Sequence, residues 1–197
     1  LYMEAILHPD IRILSIATRP DCLSTEILDL LERLNQIKPV WVELGLQTIH
    51  ERTARYIRRG YDLPVFETAV SELRRRGIDV IVHTILCLPG ETKPDMLQTI
   101  QYLNRQDIQG IKLQLLHILK DTDLAEIYAS DPFPVPDPQE YYKLLGACIS
   151  HLRPDIVIHR LTGDGPKELL TAPLWTCNKR QVLNQLQSYF KTHDIWQ

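Results

Sequence analysis

Residues 40–92 decide the fold, and they read VWVELGLQTIHERTARYIRRGYDLPVFETAVSELRRRGIDVIVHTILCLPGET. The apolar runs from Val40 to Leu46 and from Ile78 to Leu86 predict two strands that are covered on both faces. Between them, apolar residues from Phe66 to Leu73 recur at helical spacing, and Arg74 to Gly77 supplies the basic last turn and the glycine that end a helix. A strand, a helix and a second strand in this order predict a unit of parallel α/β structure.

The same alternation extends in both directions along the chain. Right-handed crossovers wind such units into a barrel or an open sheet, and the pattern leaves both open. The proline-rich stretch from Asp131 to Pro138 is predicted to be a stiff connection, so residues 1–197 are predicted to form a single domain. The further strands are predicted at residues 11–17, 111–118 and 156–159, and the further helices at 23–34, 97–103, 141–152 and 179–190.

Composition excludes several classes of protein. The net charge of -3 gives no electrostatic footprint for DNA, and no apolar run approaches the ~20 residues that span a bilayer. The four cysteines contain no C-x-x-C pair, so reduced thiols in a cytoplasmic protein are expected and a metal site is not. The chain opens at Leu1 in what reads as a helix, without a signal segment, and is interpreted as a fragment.

Polar residues at the carboxyl ends of the strands are the candidates for function, because ligands bind there in parallel α/β folds. Glu43 lies in an apolar strand, where a buried carboxylate is costly unless it is paired, so it is predicted to face a wet cavity. The equal alternative is a structural carboxylate bonded to a neighbouring strand. His83 and His117 also lie in apolar runs, as ligands or bases or, more commonly, as hydrogen-bonded core histidines.

Two glycine-containing turns and one arginine series are further candidates. Leu88 to Thr92 could bring backbone N–H groups to an anion, although such a stretch is more often only a turn. Gly163 to Lys167 offers flexible glycines, a proline suited to a first helical turn and a lysine able to meet phosphate or carboxylate, with a tight loop as the equal alternative. Arginines at 52, 55, 58 and 59 have helical spacing and present either a cationic face to a ligand or RNA or, more commonly, a solvated face.

Together these motifs resemble a known family. Val42 to Thr48 followed by Val82 to Thr92 resembles the fourth and fifth strands of the radical S-adenosylmethionine (SAM) core, in the branch of the Elongator catalytic subunit and the oxygen-independent coproporphyrinogen oxidase. The stretches 16–23, 114–117 and 159–167 resemble, more narrowly, the YhcC-like group. The resemblance spans nearly the whole chain.

The resemblance implies an α/β fold that is the C-terminal part of a partial (β/α)6 TIM-like barrel, with parallel strands and outer helices. It implies about strands three to six of the radical SAM core, plus a C-terminal extension from about residue 131. SAM and a [4Fe-4S] cluster are the implied cofactors. The family's C-x-x-x-C-x-x-C loop follows strand one and no such spacing occurs here, so the cluster ligands are expected upstream of Leu1.

The resemblance also implies roles for individual residues. Gln47 matches a position that contacts SAM, and Arg59 matches an arginine that pairs with the methionine carboxylate, to which a guanidinium is well suited. His83 matches a polar position near the ribose, where Asp or Gly is more typical, and Ile85 matches the apolar residue against the adenine. Cys87 stands where the family's Gly-Leu-Pro turn has glycine. The candidates for the substrate side are Glu43, His117, Arg160, Asp164 and Lys167.

Three hypotheses follow. In the first, the complete protein reductively cleaves SAM to a 5′-deoxyadenosyl radical, with an electron donor such as flavodoxin or ferredoxin and an unknown small-molecule or RNA substrate. In the second, the chain is a non-radical phosphate-binding enzyme that uses the two glycine turns. In the third, it is an RNA-binding or RNA-modifying module built on the four arginines, against which the net charge of -3 counts.

Overall fold

Five strands form one parallel sheet in the order β1-β2-β3-β4-β6, in a computed structural model that describes residues 1–196. Neighbours in the sheet follow the order of the chain, as in the wall of a barrel and unlike a doubly wound sheet, whose strand order reverses at a switch point. The predicted α/β barrel-type architecture is thus confirmed. The strands are β1 (Leu14–Thr18), β2 (Val40–Gln47), β3 (Asp79–Leu86), β4 (Gly110–Leu115) and β6 (Val157–Arg160).

Helices cover one face of this sheet and connect its strands. The predicted helices are all present, including the one at the start of the chain, and two further short ones join them: α3 and α6. The helices are α1 (Tyr2–Leu7), α2 (Thr25–Asn35), α3 (Glu51–Tyr56), α4 (Leu63–Arg75), α5 (Lys93–Leu103), α6 (Asp123–Ser130), α7 (Pro138–His151) and α8 (Lys179–Thr192). Among residues 1–196, none of them has the length and apolarity to cross a membrane.

Local sequence sets where the longer helices begin. Thr92 and Asp95 form a capping box at the start of α5, and Asp137 and Glu140 form another at the start of α7. In each helix a proline occupies one of the first two positions, where its missing N–H has no cost. The proline-rich stretch from 131 to 138 thus leads directly into α7, whose first residue is Pro138.

The two faces of the sheet differ in character. In β2 the residues at 40, 42, 44 and 46 are buried against the helices, while those at 41, 43, 45 and 47 are only partly buried. The parallel register sets Gly45 beside His83 and His83 beside Lys112, and it sets Ile85 beside Gln114. We call this second face the open face, defined by residues 41, 43, 45, 47, 83, 85, 112 and 114.

Two strand predictions differ from the structure. The predicted strand at 111–118 ends at Leu115, and Ile118–Leu119 forms a separate strand, β5. β5 pairs antiparallel with β7 (Leu170–Ala172), which the sequence analysis did not predict. A three-residue strand offers too few residues for an apolar period to be visible.

Both β2 and its neighbour β3 end in a non-glycine residue with left-handed backbone. Gln47, the last residue of β2, has φ of 62°, and Cys87, which follows β3, has φ of 64°. A side chain at such a φ is sterically unfavourable and glycine adopts it freely. The geometry therefore gives the reason why the family's turn has glycine where this chain has Cys87.

Replacing Cys87 tests this strain. Cys87→Gly is expected to leave the free energy of unfolding within about 1 kcal/mol of the parent, because relief of backbone strain offsets lost packing. Cys87→Val is expected to lower it by about 2 kcal/mol, because a β-branched side chain tolerates this conformation worst. Chemical denaturation measures both, with Cys22→Val, at an exposed site with negative φ, as the control. A valine variant as stable as the glycine variant would refute the strain.

Candidate functional site

The Glu43 carboxylate on the open face of β2 is bonded to three other strands. Its Oε1 accepts a hydrogen bond from Ser15 Oγ of β1 at 2.8 Å. Its Oε2 accepts one from Lys112 Nζ of β4 at 2.5 Å and lies 2.7 Å from His83 Nε2 of β3. The Glu43 and Lys112 side chains are only 15% and 14% exposed, so their ion pair is largely shielded from water. Glu43 thus lies on the open face, and its carboxylate is also bonded to other strands of the sheet.

The contacts of His83 fix which ring nitrogen carries its proton. The Gln114 side-chain amide lies 3.0 Å from His83 Nδ1 and can only donate through its nitrogen, so Nδ1 accepts. The proton therefore sits on Nε2, which donates to Glu43. Burial lowers the pKa of His83, and the positive charges of Lys112 and Arg160 lower it too, against the opposing effect of Glu43. His83 is accordingly a neutral imidazole with both nitrogens engaged.

The pKa of Glu43 is set by a balance of burial and hydrogen bonds. Burial by itself raises the pKa of this carboxyl, but hydrogen bonds from Lys112, Ser15 and His83 outweigh it and hold the pKa at about 2. Glu43 is therefore ionised at neutral pH. It serves as a fixed negative charge and not as a proton donor.

The sequence indicated Glu43 and His83, and it indicated Gln114 only as part of the stretch 114–117, while Lys112 was not predicted. A signal was present: Lys112 and Gln114 are polar residues that interrupt the apolar run at 111–118, two residues apart, and therefore share a face. Knowing which face required the register of β4 on β3, which sets Lys112 beside His83. Ser15 carried no signal, because a single serine in a strand is unremarkable in composition.

A cavity of about 520 Å³ opens beyond this network, at the carboxyl ends of β2 and β3. Its size falls within the range of small-molecule sites. Three of the four residues predicted to contact the cofactor line it, namely Gln47, Arg59 and Ile85. The fourth, His83, is not among its lining residues and lies within the Glu43 network instead.

Gln47 is held at the cavity by three features. Its left-handed φ follows an irregularity in the pairing of β2 with β3 between Gly45 and Gln47. Its side-chain amide folds back over Gly45, where a Cβ would lie 2.5 Å from Gln47 Nε2. The Tyr61 hydroxyl contacts both the Gly45 carbonyl and Gln47 Oε1, the latter at 3.3 Å. Strain of this kind persists only where the surroundings enforce it, and it is common at binding sites.

Arg59 is a buried residue that organises the loop after β2, with its side chain 1% exposed. It donates hydrogen bonds to the carbonyls of Tyr61, Thr48 and Leu46 and forms an ion pair with Glu51 at 2.8 Å. Four of the five guanidinium N–H groups are thereby used by the protein. A ligand carboxylate could therefore receive one hydrogen bond from Arg59 and not a bidentate pair.

The four arginines predicted to share a helix face do not do so. Arg52 and Arg55 belong to the short helix α3, which ends at Tyr56. Arg58 follows in a left-handed turn and pairs with Asp123 of α6, while Arg59 points into the protein. The cationic face on which the RNA-module hypothesis rests is therefore absent from the described residues.

The remaining substrate-side candidates lie in two places. The His117 ring, in the connection between β4 and β5, packs against the 163–165 loop, where a Cβ on Gly163 or Gly165 would lie 2.9 Å from it. Asp164 forms an ion pair with Lys179 at 2.5 Å. Lys167 is exposed in a turn, and the stretch from 163 to 167 is a loop, as the alternative interpretation had it.

At the other glycine turn, the amides of Glu91 and Thr92 already donate hydrogen bonds, to the Leu88 carbonyl and to Asp95 Oδ2. Thr92 and Asp95 use the capping-box amides at the start of α5. The Glu91 side chain brings a carboxyl group to this turn, and burial raises its pKa. Each turn thus carries a carboxyl group, Asp164 in one and Glu91 in the other, which counts against the phosphate-binding hypothesis.

A second cavity, of about 620 Å³, lies between the 87–93 turn, residues 133–136 and the first turns of α5 and α7. Helices and loops form its walls, and the candidate turn from Leu88 to Thr92 lines it, whereas the four predicted cofactor contacts do not. The cavity at the strand ends is the better candidate for a cofactor, because it combines apolar walls with a few oriented polar groups.

The cysteines of this chain do not assemble into a cluster site. Cys22, Cys87, Cys148 and Cys177 are all free thiols, and residues 1–196 contain no group of three or more His, Cys, Asp or Glu side chains placed to hold a metal. Burial raises the pKa of Cys87 and of Cys148 to about 12, which makes both poor metal ligands. These residues do not fit an iron–sulfur cluster.

Comparison with known protein families identifies the chain. Residues 2–103 match the Radical SAM superfamily, and residues 108–192 match the Radical_SAM C-terminal domain. The chain belongs to the radical SAM superfamily. The boundary between the two matches falls between α5 and β4, although the five-stranded sheet runs continuously through it.

Individual relatives agree with this assignment. The chain is 40% identical to the protein YtqA of Bacillus subtilis over 93% of its own length and 57% of that protein. It is 34% identical to the protein YhcC of Escherichia coli over 99% of its own length and 63% of that protein. The fold is similar to that of the archaeal Elp3 of Methanocaldococcus infernus, with a TM-score of 0.79, 18% identity and coverage of 93% of this chain and 42% of that one. The chain thus spans about three fifths of the length of these two curated relatives.

Loss of the Glu43 charge is expected to destabilise the radical SAM fold in a pH-dependent way. Glu43→Gln should lower the free energy of unfolding by about 2 kcal/mol near neutral pH, because Lys112 then lacks its counter-charge. The pKa of Glu43 is lowered in the folded state, so its stabilisation is present above its usual value of 4.5 and is lost as pH falls toward about 2. The difference between variant and parent should shrink over that interval.

Denaturant titrations from pH 7 to pH 2 measure this effect, with the exposed Glu168→Gln as the control. A difference that stays constant down to pH 2 would contradict the role of the ionised carboxylate.

Proposed function

We propose that the protein to which this chain belongs is a radical SAM enzyme, and that this chain supplies one wall of the SAM pocket. The observation that carries the proposal is the convergence of Gln47, Arg59 and Ile85 on the cavity at the strand ends. Gln47 ends β2, Arg59 lies in the loop after α3, and Ile85 belongs to β3. The family resemblance independently implies a cofactor contact for each of the three.

The lining of this cavity fits the chemistry of SAM. Ile85, Leu88 and Leu116 offer an apolar surface to the adenine ring. The Gln47 amide and the one unused N–H of Arg59 are donors for polar groups. Arg19 and Arg58 also line the cavity, paired with Asp21 and Asp123, and either could exchange its partner for the methionine carboxylate. His83 is the proposed neighbour of the ribose, and a direct contact would require it to exchange its bond with Gln114.

SAM bound at a reduced [4Fe-4S] cluster supplies a 5′-deoxyadenosyl radical that removes a hydrogen atom from a substrate. The residues of this chain hold, orient and shield the cofactor, and the cluster ligands are proposed to lie in the part of the protein outside this chain. An electron donor of the flavodoxin or ferredoxin type is the proposed partner. The substrate, a small molecule or an RNA, is proposed to reach the open face.

The direct test of the proposal uses the full-length protein purified without oxygen. Iron, acid-labile sulfide and 5′-deoxyadenosine formed from SAM under reduction are measured together. We expect about four irons per protein chain, as in a [4Fe-4S] cluster, and deoxyadenosine formation that depends on the reductant. A protein that binds neither cluster nor SAM would refute the proposal.

Gly45→Ala tests how the SAM pocket is organised. A new Cβ at this position would meet Gln47 Nε2 at 2.5 Å, and because that atom ends a flexible side chain, Gln47 should move rather than the backbone. Stability should fall by less than about 1 kcal/mol, while SAM affinity should fall about tenfold, as in Gln47→Ala. The double variant should bind no more weakly than Gln47→Ala alone, because both changes remove the same contact.

Equilibrium dialysis of SAM against the full-length variants measures these affinities. Gly77→Ala is the control, because it lies outside the cavity lining and a Cβ there would meet nothing within 4 Å. If the losses of SAM affinity add in the double variant, Gly45 affects SAM binding independently of Gln47.

A further inference from the structure

The open face carries more positive than negative charge next to the proposed cofactor cavity. Glu43 is the carboxylate at its centre, and it is paired with Lys112. Arg160 of β6 pairs with Lys112 of β4 in the parallel register. The pairing shifts by one residue between Ile111 and Lys112. The nearest candidate counter-ion for Arg160, Asp164, is already paired with Lys179. One cation in excess therefore remains at this level of the sheet.

Donors are also left over at this position. Lys112 Nζ has three N–H groups, and the hydrogen bond to Glu43 is the one that it makes within residues 1–196. Arg160 is exposed, and in the same part of the chain no carboxylate lies within ion-pair distance of it. The positive charge of Arg160 nevertheless acts on the Glu43 network, because it contributes to lowering the pKa of His83. Both cations thus share one environment.

The network holds Lys112 in place before any ligand arrives. Both Glu43 oxygens and both His83 nitrogens are used, by Ser15, Lys112 and Gln114. A desolvated ion pair of this kind adds little net stability compared with apolar packing, so its presence on an open face suggests a binding role. A donor fixed in advance binds an anion with little cost of reorganisation.

We propose that Lys112 and Arg160 form a binding site for an anionic group of the substrate, a carboxylate or a phosphate. This inference rests on the proposed function, since it places the substrate anion on the open face, beneath the SAM cavity. Glu43, His83 and Gln114 act as positioning residues that hold the Lys112 ammonium group. His159, which precedes Arg160 in β6, packs against Trp41 in a T-shaped contact with 5.2 Å between the ring centroids.

The test is equilibrium dialysis of the full-length protein against radiolabelled inorganic phosphate and, separately, radiolabelled succinate. Arg160→Gln is the primary variant, because its exposed side chain can be replaced without disturbing the core. Lys112→Met is the second, with its folding checked by circular dichroism because it leaves Glu43 without a counter-charge. Arg180→Gln, on the exposed surface of α8, is the matched control.

We expect each of the two site variants to weaken binding about tenfold or more and Arg180→Gln to leave it unchanged. If the protein binds phosphate but not succinate, the substrate is assigned a phosphate group. If it binds succinate but not phosphate, the substrate is assigned a carboxylate. Binding of both probes would assign to the site the anion chemistry that the two share. Binding of neither probe, or unchanged binding in Arg160→Gln, would overturn the proposal.

Arg58→Gln distinguishes this site from the SAM cavity, which Arg58 lines. If that variant loses anion binding as Arg160→Gln does, the probes occupy the cofactor cavity and the proposal fails. Deoxyadenosine formation by the unaltered protein is measured in parallel. Its absence would count against the proposed radical SAM activity, whereas the dialysis result alone decides the anion site.

Discussion

One carboxylate organises the functional half of this molecule. Glu43 projects from the second strand of the sheet and is bonded to Ser15, His83 and Lys112 on three other strands. The low pKa of Glu43, about 2, follows from those bonds, which also hold Lys112 in place. Burial lowers the pKa of His83 against the opposing effect of the Glu43 hydrogen bond. The outer face of the same strands is an ordinary apolar core, so the helices hold the sheet together, while Glu43 connects the polar groups of its open face.

A second constraint acts at the ends of β2 and β3. There the backbone adopts left-handed conformations at Gln47 and Cys87, and the buried guanidinium of Arg59 fixes the loop after β2 through three backbone carbonyls. The sheet pairing alone would not hold a glutamine in this conformation. Arg59 therefore acts chiefly by holding the loop that forms the edge of the cavity next to Gln47. It retains one N–H group for a ligand.

Much of this arrangement could be predicted from the sequence. The strands of the main sheet, the longer helices and the family follow from apolar periods and from motifs such as the one around Glu43 and Gln47. What could not be predicted depends on contacts between distant segments. The pairing of Glu43 with Lys112 needs the strand register, the burial of Arg59 needs the turn at Arg58, and the packing of Gly163 on His117 needs the β5–β7 pair. Helical spacing alone suggested an arginine face that the short α3 helix does not provide.

The proposed binding of SAM at the strand ends, above the Glu43 network, is best tested by a crystal structure of the full-length protein with SAM, grown without oxygen. We expect SAM in the cavity lined by Gln47, Arg59 and Ile85, with the adenine against Ile85 and the Glu43 network intact beneath it. SAM bound in the other large cavity, between Cys87 and the residues at 133–136, would contradict it.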